Sequence, residues 1–205
     1  MKTGIMGGTF DPIHFGHLFL AEEVMHTYKL DRIVFVPSKI GPHKLNRYVT
    51  PAVTRLEMVC KATESNPAFE VSSIEIDREG ISYTIDTISA FRETWKTDEF
   101  YFITGADAIV TIETWKDFTV LLENVEFVAA TRPSVEVTAL NRQVDRLGDL
   151  YGAKIHIMSL LNLEISSSDI RSRIREGRSI KYLVPYSVEQ IIKERHLYEG
   201  PLSAN

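Results

Sequence analysis

Two histidines and two adjacent glycines lie close together near the start of the chain, in the stretch GGTFDPIHFGH at residues 7–17. Adjacent glycines let the main chain approach a ligand closely, and a helix start offers unpaired N–H groups to an anion. His14 and His17 are three residues apart, so their imidazoles can point to the same side of a helix start, and Gly16 leaves space between them. The pattern predicts a site for phosphate groups in which the imidazoles act as hydrogen-bond donors.

The same stretch allows other interpretations. It is not a Walker A loop, because no Gly-Lys-Ser/Thr follows, and it is not a G-x-G-x-x-G dinucleotide fingerprint. A metal pair at His14 and His17 would need a third ligand, and neither an H-E-x-x-H motif nor a nearby Cys/His cluster is present. Two polar residues that only cap a helix are the remaining alternative. The attached glycine run favours phosphate binding over both.

Composition limits the classes of function. The 205 residues carry a net charge of −5 and no long Lys/Arg run, which argues against a protein that binds nucleic acid or an anionic membrane. The one cysteine, Cys60, allows neither an intrachain disulfide nor a four-thiolate metal site. No apolar stretch is long enough for a signal peptide or a membrane span. We therefore expect a cytoplasmic protein with small-molecule partners.

The elements that must position these residues follow from the apolar pattern. Apolar runs predict buried strands at 5–6, 33–36, 69–76, 100–103, 125–130 and 155–158, and the last three runs are short and rich in β-branched or aromatic residues. Amphipathic stretches at 15–28, 51–64 and 84–95 predict helices between the first of them. This alternation predicts a doubly wound, Rossmann-like α/β fold, with a parallel sheet covered by helices on both faces.

Two helices carry finer predictions. Thr50 and Pro51 are typical of an N-cap followed by the first helical residue, and the buried face is then predicted from the helical spacing of Val53, Leu56, Val59, Cys60 and Thr63. Helical patterns at 168–176 and 187–196 predict a small C-terminal cap on the sheet. We divide the chain into a Rossmann-like core at 1–165, a helical segment at 166–198 that completes the phosphate site, and a tail at 199–205.

Two motifs at opposite ends of the chain carry a family resemblance. Residues 7–17 resemble the G-G-T-F-D-P-[IV]-H-x-G-H stretch of the H-x-G-H nucleotidyltransferase superfamily, and ISSSDIR at 165–171 resembles its second motif, I-S-S-T-x-I-R. Ser168 stands where the family usually has threonine, which keeps the hydroxyl. Further matches, over about residues 2–197, are similar to the bacterial nicotinic acid mononucleotide adenylyltransferases; they are Pro42-His43-Lys44, SYTIDT at 82–87, FITGAD at 102–107, Trp115 and Arg132-Pro133.

The resemblance implies transfer of the adenylyl group of ATP to nicotinic acid mononucleotide, giving deamido-NAD and pyrophosphate by direct in-line attack. It implies catalytic roles for His14, His17 and Arg171. The residues it implies for ATP binding are Gly8, Thr9, Phe10, His14, His17, Gly105, Asp107, Ser167, Ser168 and Arg171. Those it implies for the mononucleotide are Lys44, Tyr83, Thr84 and Trp115, with Arg47 and Arg132 as further candidates. Mg²⁺ would be bound through the ATP phosphates, with no protein side chain as ligand. A homodimer is compatible with the sequence.

Several alternatives stay open at this point. Phosphopantetheine adenylyltransferases and cytidylyltransferases share the first loop, although they lack the Tyr83-Thr84 and Trp115 arrangement. A non-catalytic nucleotide-binding module should have lost His14, His17 or Arg171, and all three are present. The length and acidic charge of the chain argue against a nucleic-acid enzyme related to the class I synthetases. Lys44 could be a solvated surface residue and Trp115 a core residue. Asp107 could cap a helix, bind the adenosine ribose, or do both.

Overall fold

The computed structural model describes residues 1–39, 49–131, 137–159 and 165–200. Within these ranges the strands form a parallel six-stranded sheet in the order β3-β2-β1-β4-β5-β6, as doubly wound nucleotide-binding folds have. The fold predicted from the sequence is confirmed. The strands are β1 (Lys2–Gly8), β2 (Arg32–Pro37), β3 (Phe69–Val71), β4 (Glu99–Gly105), β5 (Glu126–Thr131) and β6 (Ile155–Ser159).

Helices connect the strands and follow the last of them. They are α1 (Phe15–Tyr28), α2 (Ala52–Thr63), α3 (Ile74–Asp77), α4 (Thr84–Thr94), α5 (Ala106–Val110), a 3-10 helix (Ile112–Thr114), α6 (Phe118–Asn124), α7 (Val137–Tyr151), α8 (Ser167–Arg175) and α9 (Tyr186–Glu194). No helix in the described ranges is both long and apolar enough to cross a membrane.

Each face of the sheet has its own hydrophobic core, because successive side chains of a strand point to opposite faces. In β1, Met6 belongs to the core formed with α1, α2, α8 and α9, whereas Ile5 belongs to the core formed with α4 to α7. Ile170 of α8 and Val188 of α9 are fully buried in the first core. Burying side chains of this size stabilises the fold by roughly 1.5–3 kcal/mol each, so the C-terminal helices are held firmly against the sheet.

Three details of the predicted elements differ from the structure. The strand predicted at 69–76 ends at Val71, and α3 begins at Ile74. In α2, Val59 and Thr63 are buried as predicted, but Val53 and Cys60 are exposed, and the rest of the buried face is formed by Arg55, Met58 and Ala62. The helix also begins one residue later than predicted, after Pro51. The apolar pattern misled here because a fully buried arginine occupies the inner face.

The sheet order creates a crevice at one point. β1 and β4 are neighbours with Met6 opposite Ile103, but β1 continues through α1 on one face, and β4 continues through α5 on the other. The loops that leave the carboxyl ends of these two strands therefore diverge, and ligands of doubly wound folds bind between such loops. Gly8 ends β1 and Gly105 ends β4, so the loops predicted to do chemistry flank this crevice.

Candidate active site

The loop after β1 is organised around a buried aromatic ring. Phe10 has a positive φ of 49° and its side chain is buried, 5.0 Å from the His17 ring in an edge-on arrangement. A Cβ on Gly8 would lie 3.0 Å from Cζ of Phe10, so the missing side chain at Gly8 lets the ring pack under the loop. Phe10, which the sequence predicts to contact ATP, thus packs against His17 in the structure.

His14 and His17 face each other at the start of α1, as predicted. His14 is the N-cap residue, and its main-chain N–H donates to Nδ1 of His17 over 3.3 Å. The two rings are stacked with centroids 3.7 Å apart and planes 26° from parallel. A Cβ at Gly16 would lie 3.0 Å from His14 Nδ1, so glycine is required for this ring position. Helix capping and a paired imidazole site therefore coexist.

The hydrogen bond to Nδ1 fixes how His17 can act. Burial, and secondly the neighbouring His14, hold the pKa of His17 well below its ordinary value, so the ring is neutral at pH 7. Because Nδ1 of His17 accepts a hydrogen bond, the proton of the neutral imidazole lies on Nε2. His17 can therefore donate one N–H to a ligand without adding a full positive charge.

The second motif docks on the first. Ser166 caps α8 by accepting from the N–H of Asp169, while Ser167 Oγ donates to the carbonyl of Pro12 over 2.9 Å. Arg171 Nη1 donates to the carbonyl of Asp11 over 2.7 Å. Ser168 is exposed at the start of α8. The structure thus brings Ser167 and Arg171 against the loop of the histidines, at the start of α8, where the positive end of the helix dipole favours anions.

Sequence reasoning missed three residues of this network, Asp11, Tyr198 and Arg55. Asp11 is buried and accepts from the Tyr198 hydroxyl at Oδ1 over 2.7 Å and from the Thr50 N–H at Oδ2 over 3.4 Å. Arg55 is the third. The sequence signals were weak, since Asp11 could be taken for a turn residue and Tyr198 lies near the end of the chain.

Arg55 is a buried cation with main-chain partners. It is 1% exposed, and its guanidinium donates to the carbonyls of Thr9 (2.5 Å), Ser38 (2.7 Å), Lys39 (3.2 Å) and Thr50 (2.8 Å). These carbonyls belong to the loop after β1, the end of β2 and the entry to α2. One side chain thus links the segments around the first motif, and burial lowers its pKa.

A second feature is a cavity of about 350 Å³ beside the first residues of α4 and α5. Tyr83, Thr84, Asp107 and Trp115 line it, so three residues predicted to bind the mononucleotide meet one predicted to bind ATP. The Trp115 ring is half-buried and packs edge-on against Phe102 at 6.1 Å. Thr84 is the first residue of α4, where main-chain N–H groups have no intrahelical partner. The cavity thus combines an aromatic wall with amide donors.

The remaining residues predicted to bind ligands lie at the start of α5 or outside the described residues. Gly105 is the N-cap of α5, and the Asp107 side chain folds back toward it, as expected for a residue at a helix start. Lys44, Arg47 and Arg132 lie outside the described residues. Within the described residues, no three or more His, Cys, Asp or Glu side chains are grouped so that they could hold a metal ion.

Comparisons with known proteins agree with this geometry. A sequence model of the cytidylyltransferase-like family matches residues 5–173. A probable nicotinate-nucleotide adenylyltransferase of Thermoanaerobacter sp. is 50% identical over 97% of this chain and 95% of its own length. One from Moorella thermoacetica is 48% identical over 98% and 93%, respectively.

Among solved structures, the Plasmodium falciparum nicotinic acid mononucleotide adenylyltransferase complexed with NaAD matches this fold with a TM-score of 0.79. The two chains are 19% identical, and the match covers 99% of this chain and 100% of the other. That likeness establishes a shared fold, while the sequence relatives establish descent. The chain therefore belongs to the cytidylyltransferase-like family, and within it to the nicotinate-nucleotide adenylyltransferases.

Proposed function

We propose that this protein transfers the adenylyl group of ATP to nicotinic acid mononucleotide, giving deamido-NAD and pyrophosphate. A phosphate oxygen of the mononucleotide attacks the α-phosphorus of ATP, and the bond from that phosphorus to the oxygen of the leaving pyrophosphate breaks. The attacking phosphate is already ionised at neutral pH, so no general base is needed. Catalysis then consists of aligning two anions and stabilising charge on the leaving group.

One observation carries the proposal: a phosphate-type loop and an aromatic cavity flank the same crevice. The loop follows β1 and holds the stacked His14 and His17, whereas the cavity lies beyond β4 and contains Trp115. β1 and β4 are adjacent parallel strands, so both features lie at the carboxyl edge of the sheet. A triphosphate on one side and a pyridine ring on the other fit this arrangement.

The side chains suit distinct tasks in this reaction. Nε2 of the neutral His17 would donate to the triphosphate where charge develops, and His14, stacked on it, would donate beside it. Arg171 and the hydroxyls of Ser167 and Ser168 would hold the leaving phosphates at the start of α8. Trp115 would stack on the pyridine ring, and main-chain N–H groups near Thr84 would receive its carboxylate.

Mg²⁺ belongs to this proposal as a companion of ATP. Phosphate oxygens and water would coordinate it, as this ion prefers, and it would screen the charge of the triphosphate. The residues around the first loop support this assignment, because the buried carboxylate of Asp11 is engaged by Tyr198 and Thr50. Titration with a chelator should abolish turnover, and Mg²⁺ added beyond the chelator should restore it.

The decisive experiment measures pyrophosphate release from ATP with one acceptor at a time: nicotinic acid mononucleotide, its amide, or phosphopantetheine. The proposal expects the highest kcat/KM with nicotinic acid mononucleotide. Turnover only with phosphopantetheine would instead favour the other adenylyltransferases of the superfamily, and nucleotide binding without any turnover would favour a non-catalytic module. A cytoplasmic location and a homodimer stay predictions, which cell fractionation and analytical ultracentrifugation would test.

A further inference from the structure

Lys116 is a charged residue of the cavity that the sequence did not single out. Of the described residues that line this cavity, it alone is cationic. Its ammonium group lies 4.8 Å above the Tyr83 ring and 3.1 Å from Oδ1 of Asp86 in the first turn of α4. Both contacts hold the ammonium group near the start of α4, whose first residue, Thr84, also lines the cavity.

The surroundings of Lys116 set the local potential. The Lys116 side chain is 44% exposed and that of Asp86 is 34% exposed, so solvent screens the pair and the pairing contributes little stability, which leaves the ammonium group available to a ligand. The positive end of the α4 dipole adds to the ammonium group, whereas Asp107 of α5, which also lines the cavity, carries the opposite charge. A ligand group near Thr84 thus meets two sources of positive potential.

We propose that Lys116 is a specificity-determining residue that favours the acid form of the mononucleotide over its amide. The inference rests on the proposed function, because it assumes that the pyridine ring enters this cavity. The acid and the amide differ only in the ring substituent, and only the acid carries a negative charge there. A nearby ammonium group therefore lowers the free energy of the bound acid and leaves that of the bound amide almost unchanged.

A charge series at one position tests the inference. The variants Lys116→Arg, Lys116→Met and Lys116→Glu keep, remove and reverse the charge at an exposed site where each should fold. Lys154→Met is the matched control, because Lys154 is also an exposed lysine in a surface ion pair, with Glu126 at 3.0 Å, but it precedes the amino end of β6 and does not line the cavity. The measured quantity is the ratio of kcat/KM for the acid to kcat/KM for the amide at low ionic strength.

The ratio should stay near the wild-type value in Lys116→Arg and Lys154→Met. It should fall by about three- to tenfold in Lys116→Met, the range that screened charges a few ångströms apart allow, and fall further in Lys116→Glu. The loss should come from KM for the acid, and added salt should reduce it. A ratio within twofold of wild type in both Lys116→Met and Lys116→Glu would overturn the inference and leave the proposed function intact. Absence of turnover with either mononucleotide in the wild-type protein would overturn both.

Discussion

The hydroxyl of Tyr198 donates to Oδ1 of Asp11 over 2.7 Å, which joins two residues 187 positions apart in the sequence. Tyr198 follows α9, whereas Asp11 lies in the loop that leads to the paired histidines. Burial and the neighbouring carboxylate raise the pKa of Tyr198, so its proton stays in place at neutral pH. The C-terminal segment thus holds the first motif in place, in addition to the contacts that Ser167 and Arg171 of the second motif make with it.

Tyr198→Phe should therefore loosen the first loop. Removing the hydroxyl leaves a buried carboxylate oxygen without its donor, which should cost about 1–3 kcal/mol in the free energy of unfolding. KM for ATP should rise, because the loop must be ordered at the moment of binding. Urea unfolding and steady-state kinetics measure the two effects. Tyr186→Phe is the control, since Tyr186 is 74% exposed. Equal behaviour of the two variants would show that the Asp11 contact has no role.

His17 variants can separate capping from catalysis. Asparagine can still accept the His14 N–H at a carbonyl oxygen, but it does not place a donor where Nε2 lies, whereas alanine loses both. Both variants should lower kcat by about 10²–10³-fold, with much smaller changes in the Kd for ATP, because the donor acts on developing charge. Only His17→Ala should also lose stability. Near-wild-type kcat in His17→Asn would remove the proposed role.

The depressed pKa of His17 predicts how stability depends on pH. The folded state resists protonation, whereas an unfolded His17 takes up a proton near pH 6.5, so the unfolded state binds more protons below that pH. The contribution of His17 is therefore complete above about pH 6.5 and is lost as the pH falls from there toward the folded pKa. Between pH 7 and 5, the wild type should lose more stability than His17→Asn, by at most about 2 kcal/mol, measured by urea unfolding. Parallel pH curves for the two proteins would contradict this.

The sequence predicted the fold well because local pattern and packing agree. The helix at 15–28 and the parallel sheet follow from apolar periodicity, and the structure has both. α2 shows the limit of that approach. Its inner face carries Arg55, and the buried guanidinium is tolerated because four carbonyls accept from it, three of them from residues at least 16 positions away in the sequence. No local pattern reports such a tertiary arrangement.

The candidate site divides in the same way. His14, His17, Ser167 and Arg171 were identifiable because they follow recognisable motifs. Lys116 was not, although it follows Trp115 directly, because an exposed lysine beside an aspartate is ordinary at a protein surface. What marks it is the cavity wall that it shares with Tyr83 and Thr84, which are more than 30 positions away in the sequence.

Replacing Arg55 should affect both stability and substrate binding. Arg55→Met removes the charge at similar volume but leaves the carbonyls of Thr9, Ser38 and Thr50 without these donors, so we expect a loss of about 3–5 kcal/mol in the free energy of unfolding. Arg55→Lys keeps the charge but cannot reach all these carbonyls, so it should be less stable than wild type and raise KM for ATP. Chemical denaturation and ATP titration measure these effects. Wild-type KM in folded Arg55→Lys would confine the residue to a purely structural role.

Gly16→Ala tests whether the position of the His14 ring matters for turnover. The added Cβ would lie 3.0 Å from Nδ1 and 3.1 Å from Cε1 of that ring and 3.5 Å from the Ile165 carbonyl, so the ring must move by a few tenths of an ångström. We expect kcat to fall by about tenfold or more, since a misplacement of about 1 Å can cost 10²-fold. The free energy of unfolding should change little, because the higher helix propensity of alanine offsets the cost of displacing the ring.

Gly148→Ala is the matched control for this variant. Gly148 lies within α7, and an added Cβ there would contact only the Ala153 carbonyl, at an ordinary 3.7 Å. That substitution should stabilise the protein by about 0.5–1 kcal/mol through helix propensity and leave kcat unchanged. Thermal unfolding and kinetics of the two variants therefore separate a general effect of alanine from a displaced imidazole. Full turnover in Gly16→Ala would mean that the stacked geometry of the two histidines is not what the reaction requires.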